Sequence, residues 1–143
     1  MPKLFRSALL EVPPSAAYAV VIDVARYPEF LPGCHAVSVL QTTSDGLVAQ
    51  VSITGAGIKE SFVTNNVHTA NALVVMSLRD GPFERLEGRW TFTALGDIGC
   101  RIDLHIDYEP KGILSRILGT LANRAANKIV DAFSERIGEQ YRN

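Results

Sequence analysis

The ten residues CRIDLHIDYE, Cys100 to Glu109, restrict the fold more than any other part of the chain. Cys100, Ile102, Leu104, Ile106 and Tyr108 alternate without a break with Arg101, Asp103, His105, Asp107 and Glu109. A strict period of two over this length describes a strand with one face buried and the other in water. Such one-sided alternation predicts an antiparallel sheet with a single covered face. Leu47, Ala49, Val51 and Ile53 repeat the pattern more loosely, Val74, Met76 and Leu78 form one face of another strand, and Leu86, Trp90 and Phe92 follow. Asp45-Gly46, Gly55-Ala56-Gly57, Asn71, Asp80-Gly81-Pro82 and Gly96-Asp97 punctuate these segments at strand-plus-turn spacing, which predicts a meander.

A sheet with one greasy face needs a cover, and two segments have helical character. The first follows Val12-Pro13-Pro14, takes Ser15 as its N-cap, and runs through AAYAVVIDVAR to Tyr27, where Pro28 disfavours the α region of the residue before it. The second opens near Gly112 and runs towards Tyr141. At 100° per residue its apolar side chains, from Ile113 and Leu114 to Phe133 and Ile137, fill well over half the circumference. A helix lying flat on a sheet needs a stripe only about 100° wide. Either the sheet curves round the helix, or the small residues Ala122, Ala125 and Ala126 leave space and part of the arc lines a cavity; both can hold.

At 143 residues and 47% hydrophobic, the chain is expected to form one domain, residues 1–143, around one sizeable core. Lysine plus arginine, 14, nearly balance aspartate plus glutamate, 15, without the basic excess that marks non-specific binders of polyanions or bilayers. Cys34 and Cys100 lie far apart in apolar surroundings and read as reduced, buried thiols. The N-terminus reaches Glu11 before any apolar run long enough for a signal peptide, and no run approaches the ~18 residues of a spanning helix. The expectation is a soluble, cytoplasmic protein that at most visits the surface of the inner membrane.

Catalytic patterns are sparse. His35, His68 and His105 fall in three different candidate strands or strand ends, and neither His-x-x-His nor Cys-x-x-Cys spacing occurs, so no metal site is expected. Gly55-Ala56-Gly57 precedes a strand-like segment, not a helix whose N-terminus could hold phosphate, and reads as a hairpin turn. Asp103, Asp107 and Glu109 read as a solvated strand face, and Arg85, Glu87 and Arg89 as another outward row pairing across the sheet. Thr64 and Asn66 follow Phe62 at period two, and either present polar groups to an apolar interior or hydrogen-bond near a turn.

The order of strand, helix, meander and long final helix is that of a helix-grip fold, an α+β architecture in which a curved antiparallel sheet wraps around the C-terminal helix. The chain resembles the START-like superfamily, the polyketide cyclase and lipid-transport group. Within it, YPEFLPGC at Tyr27 to Cys34, DGPFERLEGRW at Asp80 to Trp90, and CRIDLHIDYE resemble the coenzyme Q-binding and ribosome-association-toxin branch. The resemblance implies a non-enzymatic protein, with no catalytic residues to carry over and no cofactor, that binds ubiquinone or a related isoprenoid lipid between sheet and helix and supports respiratory electron transport. The alternative it implies, in the bacterial branch, is a toxin-like inhibitor of ribosomal subunit association, whose partner would be the large subunit. A polyketide cyclase or aromatase is the third reading, disfavoured because the charges fall mainly on outward faces. Mitochondrial members carry a presequence, whereas this chain starts directly at its first strand, as a bacterial member would.

On the lipid reading, Phe30 and Leu31 form part of the mouth, and Phe62, Val74, Met76, Leu78, Trp90, Leu104, Ile106, Leu118, Leu121, Ala122 and Ala125 form the lining. Ser77, Thr64, Asn66 and the Trp90 indole N–H are the candidates for head-group contacts, depending on which face each strand shows. Within YPEFLPGC, Pro28 suits the start of a single helical turn, Pro32 its end, and Gly33 a positive φ before the strand at Cys34.

Overall fold

Strand β1 (Lys3–Leu10) leads into helix α1 (Pro14–Ile22) and a 3₁₀ helix (Val24–Glu29). Six strands follow: β2 (Cys34–Thr43), β3 (Gly46–Gly55), β4 (Ile58–Thr69), β5 (Leu73–Asp80), β6 (Phe83–Leu95) and β7 (Gly99–Pro110). Helix α2 (Ile113–Arg142) closes the chain. The computed structural model describes residues 3–55 and 57–142, without the side chains of residue 58 and residues 113–121. The strands form one antiparallel sheet in the order β1-β7-β6-β5-β4-β3-β2, so the predicted meander runs from β2 to β7 and β1 returns to pair with β7. The sheet curves around α2, which is the helix-grip arrangement.

The start of α1 differs from expectation. Pro14 occupies the first turn, Pro13 stands at the N-cap, and no side chain caps the helix, so Ser15 does not play that part. A proline in the first turn lacks only an N–H that would have no intrahelical partner anyway. The end differs too: α1 stops at Ile22 and the chain tightens into the 3₁₀ helix, which holds Pro28 inside it. The buried Tyr27 hydroxyl donates to the Val21 carbonyl, supplying a partner to one of the acceptors that the end of α1 leaves open. Gly33 takes φ 80° and β2 begins at Cys34, as read from the sequence.

On the convex face, Arg85 pairs with Asp107 across the β6–β7 ladder, as the outward row predicted. Asp103 corrects the expectation of a solvated carboxylate, being 6% exposed. It lies between β1 and β6, opposite Ser7 and Thr91, and accepts from the Arg101 Nε at 2.9 and 3.1 Å and from the Thr91 hydroxyl at 3.4 Å. Its neighbours cover it while a guanidinium satisfies its charge.

Inside the grip, α2 buries Ala122, Ala126, Val130, Phe133 and Ile137 and leaves Asn123, Arg124, Asn127, Lys128, Asp131 and Glu135 in water. Its polar flank is tied to the sheet edge by Arg6 of β1, whose Nε donates to Asn127 Oδ1 at 2.5 Å. Farther along, Arg136 donates to Glu29 at 2.6 Å and lies 5.1 Å over the Phe30 ring. One apolar cluster, including Val21, Trp90, Ile102 and Phe133, packs under α1 and the end of α2; a smaller one joins Phe83, Tyr108 and Ala122.

Candidate functional site: an apolar cavity under the final helix

Between these clusters lies a cavity of about 300 Å³ that draws its wall from both. The wide apolar arc of α2 therefore has two causes in the described part of the helix. Ile137 is enclosed by packing, whereas Ala122, Ala125, Ala126, Ile129 and one side of Phe133 border open space. Sheet residues reach the cavity through strand alternation: Ala49, Val51 and Ile53 from β3, Phe62, Thr64 and Asn66 from β4, Met76 from β5, Trp90 from β6, and Leu104 and Ile106 from β7. Gly88, in the middle of β6, helps keep the space open, since a Cβ there would stand 2.9 Å from the Met76 terminal methyl.

Leu31, Phe62, Met76, Trp90, Leu104, Ile106, Ala122 and Ala125, all expected in the lining or its mouth, border this cavity. Three others do not. Phe30 turns away at the end of the 3₁₀ helix, where its ring stacks edge-on with Tyr27 at 6.0 Å and Phe133 at 5.1 Å, while the next residue, Leu31, points inward. Val74 is fully buried in the cluster beneath α1, beyond the closed end. Leu78 packs against the Phe83–Tyr108–Ala122 cluster near the β5–β6 turn. Leu118 and Leu121 belong to α2, but their side chains lie outside the described residues. Sequence reasoning missed Tyr27, Pro32, Cys34, Tyr108 and Phe133 as wall residues. Tyr108 carried a local signal in the alternation of β7 and Cys34 in its place after Gly33, whereas Tyr27, Pro32 and Phe133 approach the cavity through long-range packing.

Of the proposed head-group contacts, Ser77 is displaced: it alternates with Met76, pairs with Asn65 and Glu87, and faces the convex side. Thr64 and Asn66 do face inward, at 6% and 3% exposed, and the Thr64 hydroxyl donates to Asn66 Oδ1 at 2.9 Å. Trp90 lies 4.9 Å from Phe133 in a tilted stack. Among the described lining residues none is charged. Burial pushes the Tyr27 hydroxyl well above the ordinary tyrosine range, and raises the Cys34 thiol and the Tyr108 hydroxyl as well, so all three are neutral near pH 7. Such a wall can exclude water and accept apolar matter. It offers no carboxylate or imidazole for proton transfer.

His68, one inward position past Asn66, packs under α1 with the Tyr18 ring edge-on at 6.3 Å and Asp45 nearby. Its Nε2 is buried without a partner among the described residues, and burial lowers its pKa below the ordinary 6.5 despite the opposing pull of Asp45. The unfolded chain therefore takes up this proton first, so stability is full above pH 6.5 and falls as pH drops below it. Urea midpoints are expected to decrease between pH 7.5 and 5.5, and His68→Gln to flatten that dependence; an unchanged slope in the variant would place the effect elsewhere.

A curved sheet gripping one long helix, over a cavity whose described lining is uncharged, defines the helix-grip class of protein. Residues 10–134 match the family described as polyketide cyclase / dehydrase and lipid transport, and the chain belongs to that family. It is 40% identical over 137 residues to the ribosome association toxin RatA of Pseudomonas aeruginosa, covering 95% of each chain. It is 39% identical over 142 residues to the persistence and stress-resistance toxin PasT of Escherichia coli O6:H1, covering 99% of this chain and 90% of that one. A more distant relative is the mitochondrial coenzyme Q-binding protein COQ10 of Dictyostelium discoideum, 33% identical over 86 residues, 58% of this chain and 42% of the other. Among solved structures, a protein from Thermus thermophilus superposes with a TM-score of 0.86 at 18% identity, covering 97% of this chain and 99% of that one. The Zhui aromatase/cyclase of Streptomyces superposes at 0.72 and 17% identity, covering 96% and 86%. At those identities the two structures speak for the fold alone. Both branches that the three sequence stretches resemble are represented among the relatives.

Proposed function

We propose that this protein binds an isoprenoid quinone, ubiquinone or a close relative, in the cavity beneath α2, and serves respiratory electron transport as a carrier or chaperone without catalysing a reaction. The observation that supports this is the cavity wall, which among the described residues is uncharged and mainly apolar and holds the buried polar pair Thr64 and Asn66. A volume of about 300 Å³ is at the lower end of the range for small-molecule pockets, suited to a ring and the first part of a tail. The rest of a polyprenyl chain would leave at the rim. Burying a methylene yields about 0.8 kcal/mol relative to water, but a tail taken from a bilayer has already gained it. Discrimination then falls to the ring, where a buried donor left unpaired by a wrong ligand costs about 1–3 kcal/mol. Among the described residues no helix is long and apolar enough to cross a membrane, which accords with a cytoplasmic protein meeting the inner membrane transiently.

Trp90 is the single tryptophan of the chain and lines the cavity, so the protein carries its own reporter. Titration with a short-chain ubiquinone is expected to quench its fluorescence saturably. Ala125→Phe, which puts a ring into the cavity from a half-buried helix position, should weaken binding about tenfold or more while leaving the circular dichroism spectrum intact. An unquenched indole, together with purified protein that carries no lipid in native mass spectrometry, would remove the proposal.

The similarity to RatA and PasT over nearly the full chain supports a second reading, in which the outer surface binds the large ribosomal subunit and blocks subunit association. Added protein should then reduce joined ribosomes in sucrose gradients, and Ala125→Phe should act as the parent does. Unchanged profiles would dispose of this alternative.

A further inference from the structure

We infer that Asn66 is the anchor for the ligand's polar end, that this end must carry a hydrogen-bond acceptor such as a ring carbonyl, and that the ligand enters head first with its apolar tail pointing back to the rim at Leu31 and Pro32. The inference rests on the lipid-binding reading and gives it a direction and a chemical requirement.

The cavity has two unlike ends. Near Pro32, which is exposed, and Leu31 and Ile53, which are half-buried, the wall meets solvent. Ala49, Thr64, Asn66, Trp90 and Phe133 are all buried and make the closed end. Along β4, Asn66 lies four residues beyond Phe62, roughly 13 Å at the rise of an extended strand, and so well inside. A carboxamide is out of place at the dry end of an apolar hole unless something pairs with it. Its oxygen has a partner, the Thr64 hydroxyl, which also holds the amide in one orientation. Its NH₂ has none among the described residues, and the residue lines the cavity. The group that completes the site is therefore an acceptor. It must also be flat or slender, because Trp90 and Phe133 wall the same end.

The backbone around Asn66 is fixed in advance. It pairs with Leu47 on one side and Met76 on the other, and Gly46 permits the β3 chain to lie directly against the Asn66 carbonyl. A donor on such a rigid strand loses little freedom when it binds, which favours selectivity over mere retention.

Binding of a quinone bearing two isoprene units and of a ring-matched hydrocarbon analogue with the same tail, both followed by Trp90 fluorescence, separates the possible outcomes. The parent protein is expected to prefer the quinone by about tenfold, the worth of one buried hydrogen bond. Asn66→Leu should abolish the preference while keeping hydrocarbon binding, and Thr64→Val should reduce it by freeing the amide. Infrared spectra of the carbonyl-labelled quinone bound to the unmodified protein give a readout independent of any variant's folding, with one carbonyl band shifted to lower frequency. A parent protein that binds neither compound overturns the lipid reading, and the anchor with it. Quinone bound with an unshifted carbonyl, or bound as tightly by Asn66→Leu, overturns the anchor while leaving the lipid reading standing.

Discussion

Replacing Phe133 with alanine is expected to destabilise the protein by about 3–5 kcal/mol. The ring is 2% exposed and meets three aromatic neighbours, Tyr27 at 5.1 Å and 88°, Phe30 at 5.1 Å and 87°, and Trp90 at 4.9 Å and 59°. Those contacts join α2 to the 3₁₀ helix and to β6, so two elements lose their common partner on α2 at once. Aromatic pairs at such geometries contribute about 0.5–1.5 kcal/mol each beyond area burial. Truncation also merges the vacated space with the existing cavity, and neighbours that already border a void on one side cannot collapse to fill it. Urea unfolding followed by Trp90 fluorescence measures the effect directly, and Phe133→Leu should fall between parent and alanine. A loss below about 1 kcal/mol would mean that the aromatic cluster does not hold the helix in place.

Gly46→Ala is the second large effect, expected at about 3 kcal/mol or more, and it carries a functional signature as well. From the sequence, Asp45-Gly46 is a turn signal, with glycine's conformational freedom as its reason. The structure shows another reason: Gly46 is absent from the positive-φ residues, and a Cβ on it would overlap the Asn66 carbonyl oxygen and carbon and crowd the Val67 Cα. The obstacle is backbone, which cannot rotate aside as a side-chain tip can. Relief requires β3 and β4 to part at the position that carries Asn66. Calorimetry should show the lowered midpoint. Quinone binding should fall in the fraction that remains folded, whereas Gly57→Ala, whose Cβ would meet nothing within 4 Å, should leave binding unchanged and carry only the strain of its φ of 78°. Equal losses at both positions would show that turn geometry, and not close approach, governs Gly46.

The regular part of the fold was legible in advance because it is written in local periodicity. Alternation from Cys100 to Tyr108 placed β7 and its inner face, the turn residues placed the hairpins, and the long apolar arc placed α2. Departures occur where a distant group supplies what the local sequence lacks. Asp103 follows the polar alternation and yet is buried, because β1 joins the sheet beside β7 from the far end of the chain. Helix α1 stops at Ile22 without a glycine, because the Tyr27 hydroxyl returns to the Val21 carbonyl.

YPEFLPGC shows the division at the scale of two residues. Its prolines and glycine announced a tight turn, and Gly33 adopts the left-handed conformation that glycine alone tolerates well. Phe30 and Leu31, equally apolar and adjacent, read alike in sequence. In the structure Leu31 lines the cavity and Phe30 stacks on Phe133 under the Arg136 guanidinium. Their separation depends on a residue of α2 more than a hundred positions away, which no window around Pro28 contains.

By itself the sequence determined the strands and their buried faces and the length and greasiness of the final helix, since each follows from residue type and near-neighbour spacing. Only the tertiary structure decided that the space between sheet and helix is partly open, that Thr64 and Asn66 stand together at its closed end, and that Ser77 and Phe30 lie outside it. Whether facing side chains fill a volume depends on the sum of their sizes against the curvature of the sheet. That sum is made across elements far apart in the chain and leaves no mark on any one of them.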